Sequence, residues 1–165
     1  MKQKITMLVM DVDGTLTDGK IYMGNSGELM KVFDIKDGYA IVDILPKHSI
    51  IPVIITGRES KILESRCNEL GISELHQGCT RKLDKMIEIA NLYGLQRDEN
   101  GKFVGCAYIG DDNIDIPCME LSIYSGCPSD ASEDVKKTVS YICNRKGGDG
   151  AVREFIEWLL IKNEV

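Results

Sequence analysis

The stretch ITMLVMDVDGT, residues 5–15, decides the fold. Its first part, residues 5–10, is a short and almost unbroken apolar run, which is typical of a strand buried on both faces of a parallel sheet. The run ends at two carboxylates, Asp11 and Asp13, and Gly14 then allows the chain to turn. We therefore expect a first strand that delivers acidic side chains to the carboxyl end of a sheet, where open α/β folds bind their ligands.

The chain beyond this strand alternates between strand-like and helical patterns. Further strands are predicted at residues 50–56, 106–109 and 121–125, and crossover helices are predicted at residues 60–70 and 82–93. Each of these helices carries apolar residues on one face and is followed by a glycine, Gly71 or Gly94. Such alternation predicts a Rossmann-like, three-layer α/β/α fold with a parallel sheet, formed by a single domain over residues 1–165 without a cap domain.

One segment interrupts this alternation. Residues 20–33 contain two short apolar runs, IYM and LMKVF, around the turn GNSG at residues 24–27. This pattern predicts a β-hairpin. Because the hairpin follows the first strand closely, we expect it to form a flap over the carboxyl end of that strand.

Composition excludes several classes of function. The 165 residues carry a formal net charge of −6, which argues against a surface that holds nucleic acid or anionic lipid. No run approaches the roughly 20 apolar residues that span a bilayer, so we expect a cytoplasmic protein. The six cysteines lack the paired spacing of zinc or redox sites and are expected to be reduced thiols in the core.

Acidic residues follow two strands that should be neighbours. Asp11 and Asp13 follow the first strand, and Asp111, Asp112 and Asp115 follow the strand at residues 106–109. In a parallel sheet these groups converge on one edge, where like charges repel unless a cation or a proton offsets them. Oxygen ligands from two strands favour Mg²⁺ over zinc.

Groups suited to phosphate lie at the same edge. The strand at residues 50–56 ends in Thr56, Gly57 and Arg58, which offer a hydroxyl and backbone N–H groups near the start of a helix. Lys82 opens the next helix and could supply a compact cation. A nucleophile, a proton carrier, a metal and donors for phosphoryl oxygens are the parts that phosphoryl transfer requires.

These residues, in this order, resemble the four motifs of the haloacid dehalogenase superfamily of phosphatases. The motifs are matched by DVDGT at residues 11–15, Thr56, Lys82 and GDDNID at residues 110–115. The resemblance implies that Asp11 attacks phosphorus, forming an aspartyl-phosphate, while Asp13 protonates the leaving alcohol and then activates water. It also implies that Thr56 and Lys82 bind the transferring phosphoryl group.

The same resemblance implies a set of metal ligands. Mg²⁺ would be held by the Asp11 carboxylate, the Asp13 backbone carbonyl and Asp111, while Asp112 and Asp115 would support the site.

Further matches narrow the resemblance to the 3-deoxy-D-manno-octulosonate 8-phosphate phosphatases. They are DIKDG at residues 34–38, ITGR at residues 55–58, QG at residues 77–78 and GGDGAVRE at residues 147–154. This resemblance implies a phosphorylated sugar acid as substrate and a homotetramer in which a neighbouring subunit completes the cap. It places Gly57, Arg58 and Arg66 at the substrate, since an arginine can pair with the sugar-acid carboxylate.

Other functions stay open at the level of the sequence. A related phosphatase could act on a nine-carbon ulosonate phosphate or another sugar phosphate, because flap and loop residues can retune specificity. A non-catalytic oligomerisation module of the same fold is a second alternative, although the intact carboxylates and Lys82 argue against it. A phosphotransferase, which would pass the phosphoryl group to an alcohol, is a weaker variant.

Overall fold

A computed structural model of the chain describes residues 4–164, with side chains described as far as residue 162. A six-stranded sheet forms its centre, in the order β5-β4-β1-β6-β7-β8, and every neighbouring pair is parallel. The strands are β1 (Met7–Met10), β4 (Ile51–Ile55), β5 (Glu74–His76), β6 (Phe103–Ile109), β7 (Ser122–Cys127) and β8 (Tyr141–Ile142), and an antiparallel hairpin consists of β2 (Tyr22–Gly24) and β3 (Gly27–Met30). The predicted α/β fold with a parallel sheet is confirmed.

Helices cover both faces of this sheet. They are α1 (Ile35–Tyr39), a π-helical turn (Ala40–Ile44), α2 (Leu45–Lys47), α3 (Lys61–Glu69), α4 (Lys82–Leu92), a 3₁₀ turn (Asn113–Asp115), α5 (Ile116–Glu120), α6 (Glu133–Thr138) and α7 (Ala151–Glu164). The elements between residues 4 and 164 include no separate cap domain. None of the described helices has the length and apolar character needed to cross a membrane.

Alternation along β1 divides the core into two layers. Leu8 and Met10 pack with Phe155 and other residues of α7 on one face, whereas Met7 and Val9 pack with α4 on the other face. All four residues of β1 are fully buried, as expected for the centre of a parallel sheet. The six cysteines are free thiols, five of them buried, which agrees with the expectation from their spacing.

The predicted crossover helices form close to the expected positions. Helix α3 begins after Ser60, whose hydroxyl accepts a hydrogen bond from the Leu63 amide at 3.2 Å, a typical amino-terminal cap. Both α3 and α4 end before glycines with positive φ, Gly71 at 67° and Gly94 at 70°, as the sequence predicted.

Several boundaries differ from the prediction. Strand β6 begins at Phe103 rather than at residue 106, because Phe103 already pairs with Ser122 of β7. The hairpin forms, but β3 occupies Gly27–Met30 and ends before Lys31. The short strands β5 and β8 were not predicted.

Candidate functional site

The loop after β1 presents Asp11 and Asp13 at the carboxyl edge of the sheet. The Val12 carbonyl accepts hydrogen bonds from the amides of Thr15, Leu16 and Thr17 at 3.1, 2.9 and 3.1 Å, which closes the turn tightly. Gly14 has φ of +90°, and a Cβ there would lie 2.0 Å from Oδ2 of Asp111. Glycine at this position therefore lets the carboxylate from the neighbouring strand approach the loop.

Lys82 joins the carboxylates of two strands. Its Nζ lies 2.7 Å from Oδ1 of Asp11 and 2.8 Å from Oδ1 of Asp115, and its side chain is only 3% exposed. As predicted, Lys82 is the first residue of α4, so the helix start fixes where the ammonium lies. A buried lysine with two carboxylate partners stays charged, so Lys82 provides a positive charge at the base of the site.

Asp115 anchors this arrangement. Oδ1 accepts hydrogen bonds from Lys82 and from the Tyr108 hydroxyl at 2.7 Å, and Oδ2 accepts from the amides of Asp111 and Asp112 at 3.1 and 3.3 Å. Because both oxygens already accept two hydrogen bonds, Asp115 is better suited to hold Lys82 than to bind a metal. Sequence reasoning did not identify Tyr108, since a tyrosine within an apolar strand is usually a core residue.

Carboxylate oxygens of Asp11, Asp111 and Asp115 come within 4.8 Å of one another. An all-oxygen set of this kind fits a hard divalent cation such as Mg²⁺. With Asp115 occupied by Lys82 and backbone amides, the two carboxylates left to hold the metal are Asp11 and Asp111, which were both predicted as ligands. The carboxylate of Asp13 is bound instead by Lys31.

Burial and crowding shift the protonation of these groups. Burial, followed by the charge of Asp115, raises the pKa of Asp11 to about 6, although Lys82 opposes the shift. Burial and the neighbouring Asp11 raise the pKa of Asp111 to about 8. Burial acts to lower the pKa of Lys82, but the carboxylates of Asp11 and Asp115 outweigh it and raise that pKa above its usual range. A bound cation would relieve the repulsion between these carboxylates.

A cavity of about 280 Å³ opens above these groups. Its lining contains nearly all the residues that were predicted to form the site, namely Asp11, Asp13, Thr56, Gly57, Arg58, Lys82, Asp111, Asp112 and Asp115, together with Gly19 and Ile114. Thr56 is buried, and its backbone is held by a hydrogen bond from its amide to the His76 carbonyl at 3.0 Å. The structure therefore brings Thr56, Gly57 and Arg58 into one cavity with the acidic residues, and their predicted role in binding phosphate stays a prediction.

Two of the predicted residues, Arg66 and Asp112, lie away from the centre of the cavity. Arg66 does not line this cavity. It lies in a neighbouring cleft, where it pairs with Glu69 at 2.8 Å and stacks over the Phe33 ring at 5.7 Å. Asp112 is exposed at the rim and caps the 3₁₀ turn through the Asn113 amide at 2.8 Å.

The hairpin contributes two residues that sequence reasoning did not identify. Nζ of Lys31 lies 2.5 Å from Oδ1 of Asp13 and 3.0 Å from Oε1 of Glu28. Glu28 also accepts a hydrogen bond from the Ser60 hydroxyl and lies 3.6 Å from the Arg58 guanidinium. The hairpin therefore packs against the site, which confirms the predicted flap position.

Comparison with known proteins supplies the family. No protein-family model matches the chain. The 3-deoxy-D-manno-octulosonate 8-phosphate phosphatase KdsC of Escherichia coli (strain K12) is 40% identical over 159 residues, which cover 96% of this chain and 81% of that protein. The crystal structure of the Yersinia pestis phosphatase has a TM-score of 0.89 at 40% identity, covering 99% of this chain and 84% of that chain.

A third relative carries ligands. The Moraxella catarrhalis 3-deoxy-D-manno-octulosonate 8-phosphate phosphatase, solved with a magnesium ion, a phosphate ion and a KDO molecule, has a TM-score of 0.89 at 34% identity, covering 99% of this chain and 90% of that chain. Sequence identity and fold agree over nearly the whole chain. The chain therefore belongs to the KdsC family of 3-deoxy-D-manno-octulosonate 8-phosphate phosphatases, within the haloacid dehalogenase superfamily.

Proposed function

We propose that this chain is a Mg²⁺-dependent phosphatase that hydrolyses 3-deoxy-D-manno-octulosonate 8-phosphate through an aspartyl-phosphate on Asp11. The observation that carries the proposal is the placement of the Asp11 carboxylate, which lines the cavity beside Asp111 while the buried Lys82 holds its Oδ1 at 2.7 Å. Membership of the KdsC family supports the same activity.

In the first step, a carboxylate oxygen of Asp11 forms a bond to phosphorus as the bond from phosphorus to the leaving sugar oxygen breaks. Lys82 holds Asp11 and offers positive charge to the phosphoryl oxygens, and the Thr56 hydroxyl would donate a hydrogen bond to them. Asp13 gives its proton to the leaving oxygen, which departs as an alcohol.

In the second step, Asp13 takes a proton from water, whose oxygen attacks phosphorus. The bond between phosphorus and Asp11 breaks, which releases inorganic phosphate and restores the carboxylate. When bound, Mg²⁺ would neutralise the phosphoryl oxygens and the acidic cluster. The carboxylates of Asp11 and Asp111 would hold the ion, and the Asp13 backbone carbonyl would be a third ligand.

Arg58 is the residue that we assign to the substrate carboxylate. It lines the cavity next to Gly57, and its Nη1 is buried without a hydrogen-bond partner among the described residues. A buried, unpaired guanidinium N–H favours an incoming carboxylate. Because Arg66 lies in the neighbouring cleft, it is less well placed for this role.

Phosphate release tests this function directly. The panel would contain 3-deoxy-D-manno-octulosonate 8-phosphate, nine-carbon ulosonate phosphates and simple sugar phosphates, each with Mg²⁺ and with EDTA. We expect preference for the octulosonate, loss of activity with EDTA, and no release by the Asp11→Asn variant. Preference for another sugar would contradict the substrate, whereas a folded protein inactive on the whole panel would contradict the enzyme.

We also propose that the protein acts as a homotetramer. Apolar side chains on the hairpin and α1 are unusually exposed, among them Met23 at 62%, Leu29 at 66% and Ile35 at 81%. Several large apolar side chains exposed on neighbouring segments favour an interface. Light scattering should give a mass four times that of the chain, and Leu29→Glu should lower it. A wild-type monomer would contradict the tetramer.

The cellular setting belongs to this proposal too. We place the enzyme in the cytoplasm without a nucleic-acid partner, because its six cysteines are free thiols and its formal net charge is −6. Fractionation of the producing cells tests this location, and recovery outside the cytoplasm would contradict it.

A further inference from the structure

We propose that Lys31 is a positioning residue for Asp13, holding its carboxylate by Oδ1 so that Oδ2 is the oxygen that serves the leaving group. The proposal deepens the proposed function and rests on it. Lys31 follows β3 directly, on a hairpin that sequence reasoning treated only as a flap.

The contacts of Lys31 are those of a fixed group. Its side chain is only 4% exposed, and its ammonium contacts Oδ1 of Asp13 at 2.5 Å and Oε1 of Glu28 at 3.0 Å. Surface lysines normally keep their ammonium in water. Burying this ammonium between two carboxylates restricts its position.

Glu28 ties the lysine to the body of the protein. One of its oxygens contacts Lys31, and the other accepts a hydrogen bond from the Ser60 hydroxyl. Ser60 in turn caps α3 through the Leu63 amide at 3.2 Å. Lys31 is therefore held from the hairpin and from α3 together, so the position of Asp13 depends on both.

Chemistry then distinguishes the two oxygens of Asp13. An ammonium can only donate hydrogen bonds, so a proton on Oδ1 would oppose the N–H groups of Lys31. Oδ2 has no hydrogen-bond donor among residues 4–162, and Asp13 lines the cavity. Lys31 therefore occupies Oδ1 and leaves Oδ2 as the oxygen of Asp13 that is free to act on the leaving group.

This assignment has a specific consequence for the transfer step. As the Asp11 oxygen bonds to phosphorus and the bond to the leaving oxygen breaks, the Oδ2 proton moves to that leaving oxygen and Asp13 becomes a carboxylate. A poor leaving group such as a sugar alkoxide needs this proton. A stable anion such as p-nitrophenolate leaves without it.

The test compares two substrates on one preparation of each variant. We would measure kcat/KM, which covers the steps through departure of the leaving group, for p-nitrophenyl phosphate and for the sugar phosphate that the wild type hydrolyses fastest. The variants are Lys31→Met, which keeps the length of the side chain without its charge, and Lys20→Met as the matched control. Lys20 lies at the start of the same hairpin and is exposed.

In the Lys31→Met variant we expect kcat/KM for the sugar phosphate to fall at least about tenfold further than kcat/KM for p-nitrophenyl phosphate. The ratio of the two constants cancels any loss of folded protein, so partial misfolding cannot mimic the result. Lys20→Met should leave the ratio unchanged.

Two outcomes would overturn the proposal. An equal loss on both substrates would mean that Lys31 only stabilises the hairpin, and an unchanged ratio with full activity would mean that Asp13 needs no support from it. A wild type that releases phosphate from neither substrate would instead contradict the proposed function, and this proposal with it.

Discussion

Replacing Lys82 by methionine should destabilise the protein strongly, and more strongly at neutral than at acidic pH. The substitution removes two ion pairs, at 2.7 and 2.8 Å, whose carboxylate partners have side chains only 8% and 1% exposed. It leaves Asp11 and Asp115 buried beside each other without their cation. The stability change therefore reports how far Lys82 compensates these charges.

The expected size follows from the burial of the group. Removing one partner of a buried ion pair typically costs about 3–5 kcal/mol, because the remaining charge is uncompensated. The folded-state pKa of Lys82 is raised above its ordinary value. Lys82 therefore contributes its full stabilisation at every pH below that ordinary value, and pH 7.5 lies within this range. At pH 5 the loss should be smaller, since Asp11, whose pKa is already about 6, then holds a proton.

Urea unfolding followed by circular dichroism, with EDTA present, measures this change. A loss of about 3–5 kcal/mol corresponds to a fall of roughly 2 M in the urea midpoint at pH 7.5. The matched control is Lys85→Met on the same helix, which removes an exposed pair with Glu88 at 2.6 Å and should change the urea midpoint far less, because solvent screens an exposed pair. A Lys82→Met protein no less stable than the control would refute the view that this lysine compensates buried charge.

Two other predictions follow from the site and the loop beneath it. Because the pKa values of Asp11 and Asp111 are raised to about 6 and about 8, both groups bind more protons in the folded protein, so metal-free stability falls as pH rises from about 4 to 8. Mg²⁺ should therefore raise the melting temperature more at pH 8 than at pH 5, and an equal rise at both would contradict the assigned ligands. Gly147→Ala would place a Cβ 1.9 Å from the Gly14 carbonyl oxygen, which should cost about 1–3 kcal/mol of stability and reduce phosphate release. Gly24→Ala, whose Cβ would have no neighbour closer than 3.4 Å, is its control, and equal effects of the two would count against the close contact.

The sequence was most informative where residues repeat a pattern or end an apolar run. Strand β1 and the start of α4 could be placed because Asp11 and Lys82 each mark a sharp change from one pattern to the next. The strands β5 and β8 have only three and two residues, too few to show a period. The helical segment from α1 to α2 was also missed, since its π-helical turn and Pro46 interrupt the helical spacing.

Side-chain partners across the fold could not be predicted in the same way. Lys31 is 18 residues from Asp13, and their contact depends on how the hairpin folds back over the sheet. Arg66 has the charge expected of a substrate residue, but its guanidinium stacks over Phe33 and pairs with Glu69 of the same helix. Residue type and order therefore predicted which residues line the cavity, whereas the packing of the hairpin determined which cations contact its carboxylates.

The contact between Gly147 and the loop after Asp13 also has a consequence for the order in which the protein is made. A Cβ on Gly147 would meet the Gly14 carbonyl, and the Gly148 amide donates a hydrogen bond to the Thr15 carbonyl at 3.1 Å. Every carboxylate of the site precedes residue 147 in the sequence and is therefore synthesised before Gly147 and Gly148. A nascent chain would therefore carry all of the reacting groups before the segment around residue 147 contacts the loop that aligns them. Enzymatic activity would appear only after this segment has left the ribosome and folded against that loop.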